Sequence, residues 1–389
     1  MQPTAERLYF IDWVRVLAFA LLIVFHCAMP FVNHGWEVKN STTSQPLTRV
    51  IWWLHQWRLP LLFFVCGIGI QFSLRKRSVL AFAGERIIRL FIPLLFAMFF
   101  TIPLQVYFEK LQEGKISGSY IDFYPTVWSF VPYPEGTLSW SHMWFVVYLF
   151  VFCILLLPVF GLFKIKKLEE WKNAAAEFLS KPLLLSVFLL PMIYYYITLY
   201  IKWPEQGSLL DDWFIFLFYL TLLFYGYFLA GSKRIWDTCM KYRNWFLGII
   251  ILTMIPLYAF YWWKPDFPKQ NDERLYTYAV LNSVLIWTTI LAILGFAKKH
   301  LNYSNRFLQY FNEAVYPYYI LHQTVIVALG YYIVQWSVPI SIKLIVLIIS
   351  SIAIITCLYH FVIRPFIITR FLYGMKLKKK KAQSERDSQ

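Results

Sequence analysis

The sequence is short of acids, of cysteines and of polar runs. Only 15% of its 389 residues are charged, and 21 Asp and Glu stand against 37 Lys and Arg. The five cysteines, Cys27, Cys66, Cys153, Cys239 and Cys357, are scattered without metal-ligand spacing. That pattern excludes a disulfide framework and gives no reason to expect a metal. There is no internal repeat, no low-complexity tract and no second soluble block. One membrane domain is therefore expected over residues 1–363, followed by a basic, disordered tail at 364–389.

What is plentiful is apolar sequence, at 59% hydrophobic residues. Long apolar runs with few charges recur along the chain and specify an all-α polytopic membrane protein. About ten spans are expected, near 10–32, 51–72, 87–108, 143–163, 182–201, 213–231, 245–263, 275–297, 314–334 and 341–363. The first run is too long, and too free of a small-residue cleavage signal, for a removed signal peptide, so it is expected to remain as the first helix. A net charge of +16 suits nucleic acid in isolation, but its distribution argues otherwise. Arg75-Lys76-Arg77, Lys164 to Lys167, Lys233-Arg234, Lys298-Lys299 and Lys378 to Lys381 all fall on one side of the expected spans. The positive-inside rule then places both termini in the cytoplasm. The basic excess becomes a topology signal and a contact with the lipid bilayer, and no nucleic acid is expected.

The first span carries chemistry that lipid does not tolerate idly. It runs from Arg7 through Asp12 and Arg15 to His26, embedded in Val16 to Phe25. A charged side chain at the centre of a membrane helix costs ~2.5–3.5 kcal/mol on insertion scales, so such residues face a cavity or a partner. At 100° per residue His26 returns to within about 20° of Arg15, roughly 16 Å farther along one face. Asp12 and Arg15 also suit interhelical pairing or snorkelling at the start of the span. His26 lies deeper, where a functional imidazole is the stronger reading.

Other polar residues in spans divide between two readings. His55 and Arg58 share a helix face ahead of Pro60, suited to a polar substrate or to interfacial anchoring. Arg86 and Arg89, at i and i+3, offer planar guanidinium forks for phosphate oxygens, or a plain positive-inside flank. The outer loop 109–141 is aromatic and proline-rich, able to stack on sugar rings or simply to cap the bundle, and it leads into His142 and Trp144. His322 and Gln323 are buried polar residues downstream of Pro317, open to structural or functional use. The segment 164–181 reads as a short amphipathic surface helix.

These residues resemble the acyltransferase family 3 membrane proteins. The first span with Arg7, Asp12, Arg15 and His26 is similar to that family's opening motif. Arg86-x-x-Arg89 is similar to its third-helix pair, and Tyr316-Pro317-x-Tyr319-x-x-His322 to a late-helix signature. Within the family the likeness is densest to the branch that succinylates osmoregulated periplasmic glucans. There it extends to His34, Trp36, His55-x-x-Arg58 and Ser141-His142-x-Trp144-Phe145. The chain departs from many relatives at Arg364-Pro365, where they carry an acid before the proline, and it has no added esterase-like domain.

The resemblance implies a multi-pass acyltransferase of the bacterial cytoplasmic (inner) membrane. It would move an acyl group, succinyl or acetyl, from cytoplasmic acyl-CoA to an extracytoplasmic glucan or other envelope carbohydrate. Acyl-CoA is then a co-substrate held by Arg86, Arg89 and Arg15. His26 serves as general base or transient acyl carrier, with Asp12 balancing Arg15. His34, His55, Arg58, His142, Trp144 and His322 would bind substrate. Two other classes share these features: a proton-coupled transporter of a sugar or organic anion, and a non-catalytic envelope scaffold. The first lacks support from paired broken helices in repeated halves.

Overall fold

A computed structural model describes residues 7–263, 266–269 and 272–376. Among them the regular structure is helical, and the one β-bridge, Pro132 with Leu138, is isolated. In chain order the helices are α1 (Tyr9–Phe31), α2 (Gln45–Arg75), α3 (Val79–Gln112), α4 (Ser141–Leu155), α5 (Lys166–Leu179), α6 (Leu184–Thr198), α7 (Trp213–Leu229), α8 (Arg234–Trp262), α9 (Arg274–His300), α10 (Arg306–Ile333), α11 (Ile340–Ile363) and α12 (Ile367–Leu372). Every segment expected to span lies on helix, and α5 is the expected amphipathic one.

Six of these helices, α1, α2, α3, α8, α9 and α11, are long and apolar enough to cross a membrane. The α5–α6 pair adds a seventh only if its 111° bend is one broken span, while α4 and α7 are apolar but shorter. The chain is thus a multi-pass membrane protein.

Local chemistry sets several helix boundaries. Ser44, Ser78 and Asn305 cap α2, α3 and α10 by accepting from the backbone N–H groups of Leu47, Ala81 and Leu308. In α3, Pro93 and Pro103 lack the N–H that the carbonyls of Arg89 and Phe99 would otherwise meet. The helix answers with two wide turns, at Ile87–Phe91 and Ala97–Thr101. The Tyr124 hydroxyl donates to the freed Phe99 carbonyl at 3.3 Å, fixing the outer loop to α3.

The α1 helix is surrounded by α2, α9, α10 and α11. It runs parallel to α10, with Trp13 stacked on Phe307, Arg15 on Asn312, Phe19 against Tyr319 and His26 against His322. This register carries the site. On the opposite flank, α2 and α7 approach backbone to backbone through Gly67 and Gly226. A Cβ at either position would collide with a carbonyl oxygen, of Leu223 or of Phe64.

The segment after Arg364-Pro365, expected as a disordered tail, is ordered as far as Lys376. There α12 folds back, and Arg370, 3% exposed, donates to Glu313 and to the Lys376 carbonyl, each at 2.7 Å. A basic residue that reads as tail has found a carboxylate on α10. The run Lys378 to Lys381 lies outside the described residues.

Gly67→Ala and Gly226→Ala should each destabilise the detergent-solubilised protein by ~1–3 kcal/mol, read as a lower melting temperature. Gly248→Ala, where the added methyl meets nothing within 4 Å, should hold or raise it. Equal melting temperatures for all three variants would contradict the α2–α7 contact.

Candidate active site

The first span's polar stripe meets partners at two levels. At the lower level, Asp12 accepts from Arg7 at 2.8 Å and from Arg15 at 3.5 Å, and Arg15 also donates to Asn312 of α10. Beside them, Glu85 gathers Arg77, Arg86 and Arg89, the last two at 3.8 and 3.3 Å. Arg89 Nε donates to the Gly374 carbonyl at 3.1 Å, in the turn that follows α12. Gly374 has φ +64, and a Cβ there would strike the Tyr316 ring and the Arg89 carbonyl, so this close passage needs glycine. Arg15 Nε and Arg86 Nε are buried without a hydrogen-bond partner among the described residues. An ensemble of guanidinium groups with open donors and few acids suits an anion bearing several charges.

The upper level is built on His26, about three turns farther along α1. His26 Nδ1 lies 2.7 Å from His322 Nε2, and His322 Nδ1 lies 2.5 Å from the Tyr319 carbonyl. A carbonyl can only accept, so His322 carries its proton on Nδ1 and offers a lone pair at Nε2. His26 must then donate from Nδ1. Its own Nε2 is left as the basic nitrogen. Two imidazoles and one backbone carbonyl thus fix the tautomer of the ring that lines the cavity. His322 itself is fully buried behind His26, and Pro317 lies two residues before Tyr319, whose carbonyl accepts.

That cavity measures about 340 Å³ and is walled by His26, Trp36, Glu37, Arg58, His142, Trp144 and Gln323, among others. Trp36 stacks on His26 at 5.1 Å between centroids. Arg58 is 3% exposed, with its guanidinium 3.5 Å over the Phe25 ring. Its Nε and Nη1 have no hydrogen-bond partner among the described residues. Cation–π contact recovers only part of what a buried cation loses with its water, and although Glu205 acts on Arg58 through space, its bare N–H groups suit an anion or a developing negative charge.

Sequence candidates separate here. His26, Arg58, His142 and Trp144 converge on the cavity, whereas Asp12, Arg15, Arg86 and Arg89 belong to the lower level. Both nitrogens of His142 are committed: Nε2–H donates to the Ile320 carbonyl at 3.1 Å, and Nδ1 accepts from Gln105 at 3.2 Å. His55 stands at the rim, 3.3 Å from Glu205, whose carboxyl is held low by His55 and Arg58 against the upward push of burial. His34 is exposed in the loop after α1, its carbonyl accepting from Lys39. Glu37 was not anticipated. One of its oxygens accepts from the Gln323 amide, and burial pushes its carboxyl up to about 7. The signal was a lone acid beside Trp36 in a loop otherwise poor in acids.

In uniformly ¹⁵N-histidine-labelled protein, His322 and His26 should both appear as Nδ1–H tautomers. With His322→Ala the His26 ring should move to Nε2–H, the form preferred without a partner at Nδ1. An unchanged His26 tautomer in that variant would break the chain of hydrogen bonds described above.

A family model described as an acyltransferase domain matches residues 8–360. Proteins named Glucans biosynthesis protein C from Salmonella agona (strain SL483) and Salmonella enteritidis PT4 (strain P125109) are 24% identical over 335 residues. The match covers 85% of this chain and 85% of each relative. No solved structure matches the chain.

Proposed function

The chain belongs to the acyltransferase domain family, and from that premise we propose an O-acyltransferase that works across the bacterial inner membrane. It takes an acyl group from cytoplasmic acyl-CoA and places it on a hydroxyl of an extracytoplasmic glucan or other envelope carbohydrate. Succinyl is the favoured group and acetyl the alternative. Ten crossings with both termini in the cytoplasm accompany this reading, resting on the one-sided basic clusters. The single observation that carries it is the Tyr319–His322–His26 chain, which leaves a basic nitrogen at the wall of a cavity beside Arg58, whose Nε and Nη1 have no hydrogen-bond partner among the described residues.

The donor's phosphates fit the lower level, where Arg15 and Arg86 keep open buried N–H groups and Arg89 holds exchangeable partners. Its flexible arm would then reach along α1 to bring the thioester to His26. His26 Nε2 removes the proton from the acceptor hydroxyl as that oxygen attacks the thioester carbonyl. His322 accepts the Nδ1–H bond and stabilises the imidazolium through the Tyr319 carbonyl. Arg58 meets the negative oxygen of the tetrahedral adduct, or the free carboxylate of a succinyl group. Collapse of the adduct breaks the C–S bond, and the imidazolium returns its proton to the thiolate. The products are an ester and free CoA.

His26→Ala should lower acyl transfer to purified acceptor glycan by about 10²–10⁴-fold while membrane insertion and CoA binding persist. Near wild-type transfer in this variant would remove His26 from the role of base. At the lower level, Arg86→Gln and Arg89→Gln should each weaken CoA binding by ~1.5–3 kcal/mol in calorimetry on folded protein. Wild-type affinity in both would return the pair to the flank of a span.

A further inference from the structure

A second cavity of about 310 Å³ adjoins the His26 chamber. The two share Trp36, Glu37, Tyr133, Ser139 and Ser141 as walls, and Glu109 also lines the second. Their common wall contains polar groups of opposite kind on two residues adjacent in sequence. Trp36 Nε1, a donor, and Glu37 Oε2, an acceptor, are each buried with no hydrogen-bond partner among the described residues. The remaining polar groups of this wall are already matched. Glu37 Oε1 accepts from Gln323, the Tyr133 hydroxyl donates to Glu109 at 2.7 Å, and the Ser141 hydroxyl donates to Gln105 at 3.1 Å.

A buried donor beside a buried acceptor, both without a protein partner, is met by water or by a ligand whose hydroxyl groups take the water's place. Phosphate or carboxylate would bring acceptor oxygens against the carboxyl oxygens of Glu37 and Glu109. A cationic amine would suit the acids but leave the indole N–H unmatched. A metal ion gains nothing from an N–H that can only donate. A neutral polyol is the ligand class that does both, because one hydroxyl donates to Glu37 Oε2 while its neighbour accepts from Trp36 Nε1. The flat Trp36 and Tyr133 side chains in the same wall suit the apolar C–H face of a sugar ring.

Resting on the reading that the acceptor is a carbohydrate, we propose that this second cavity is a saccharide subsite in which Glu37 and Trp36 hold the ring next to the one being acylated. The acceptor is then at least a disaccharide. Its reacting hydroxyl lies in the chamber at His26, and its neighbouring ring lies across the Trp36 partition. Trp36 joins the two sites physically, since it lines both cavities and stacks on His26.

The test is calorimetric titration of the full chain in detergent with glucose and with a panel of α- and β-linked glucose disaccharides, without donor. At least one disaccharide should bind about tenfold or more tightly than glucose, and Glu37→Gln and Trp36→Phe should each reduce that gap to within about threefold. Glu37→Gln keeps the side-chain volume and an acceptor for Gln323, and Trp36→Phe keeps a ring on His26, so one can stand if the other fails to fold. No preference for any disaccharide in the wild type would overturn the subsite, as would a preference that survives in the folded variants. Transfer from labelled acyl-CoA to envelope glycan is scored in parallel. Transfer without disaccharide preference sinks the subsite and keeps the acyltransferase reading. Disaccharide preference without transfer sinks that reading and keeps the subsite.

Discussion

The structure depends on one constraint: an imidazole in an apolar helix must have its Nδ1 proton accepted. The α1–α10 register meets it by bringing His322 to His26 and then grounding His322 on its own helix backbone at Tyr319. Shifting α10 by one residue would rotate His322 about 100° away and leave both rings unmatched in a low-dielectric interior. The same register sets Arg15 on Asn312 at the other end, so the two polar contacts pin the helices at points about three turns apart. A pairing that satisfies buried polar groups at two levels also fixes the orientation of the His26 ring.

The lower level differs in kind. There the guanidinium groups have protein partners that a phosphate can replace: a single carboxylate, Glu85, shared among three arginines, and the carbonyl of Gly374. One acid among three arginines leaves net positive charge, which holds an anion without having to be built from nothing when it arrives. The turn carrying Gly374 is itself anchored by Arg370 on Glu313 of α10. The helix that carries His322 therefore also positions the segment beside the lower arginines. This gives the two levels a common mechanical element without requiring any residue to touch both.

Much of this was legible in the chain because helical periodicity speaks within one helix. The stripe Asp12, Arg15 and His26 could be read from spacing, as could the Arg86–Arg89 pair and the surface helix α5. What spacing cannot give is which helix lies alongside. His322 read as a buried polar residue, substrate-binding by the resemblance, and with α10 placed against α1 it stands behind His26 rather than on the cavity wall. The ordered α12 was hidden for a related reason: after Arg364-Pro365 the basic composition resembles a solvated tail, and its carboxylate partner, Glu313, is 57 residues away. Glu37 was missed because a single acid in a loop has no period at all. The expected spans were recognised as helices, yet six of the helices are long and apolar enough to cross a membrane, while α4 and α7 are short, α5–α6 is sharply bent and α10 is not among the six.

In the proposed reaction Arg58 bears on the choice of acyl group. A buried guanidinium stacked on Phe25 with two bare N–H sites is a poor stabilising device, since apolar side chains of similar volume would fill the space at lower electrostatic cost. If its role were only to meet the oxyanion, a neutral donor such as a backbone N–H or an amide would serve without a standing charge. A full positive charge is better matched to a ligand that arrives with a full negative one. Acetyl brings none at that depth, whereas succinyl brings a carboxylate on its far end. The carboxylate would neutralise Arg58 on binding and remain neutralised through the reaction, leaving the His26–His322 pair to carry the only proton that moves.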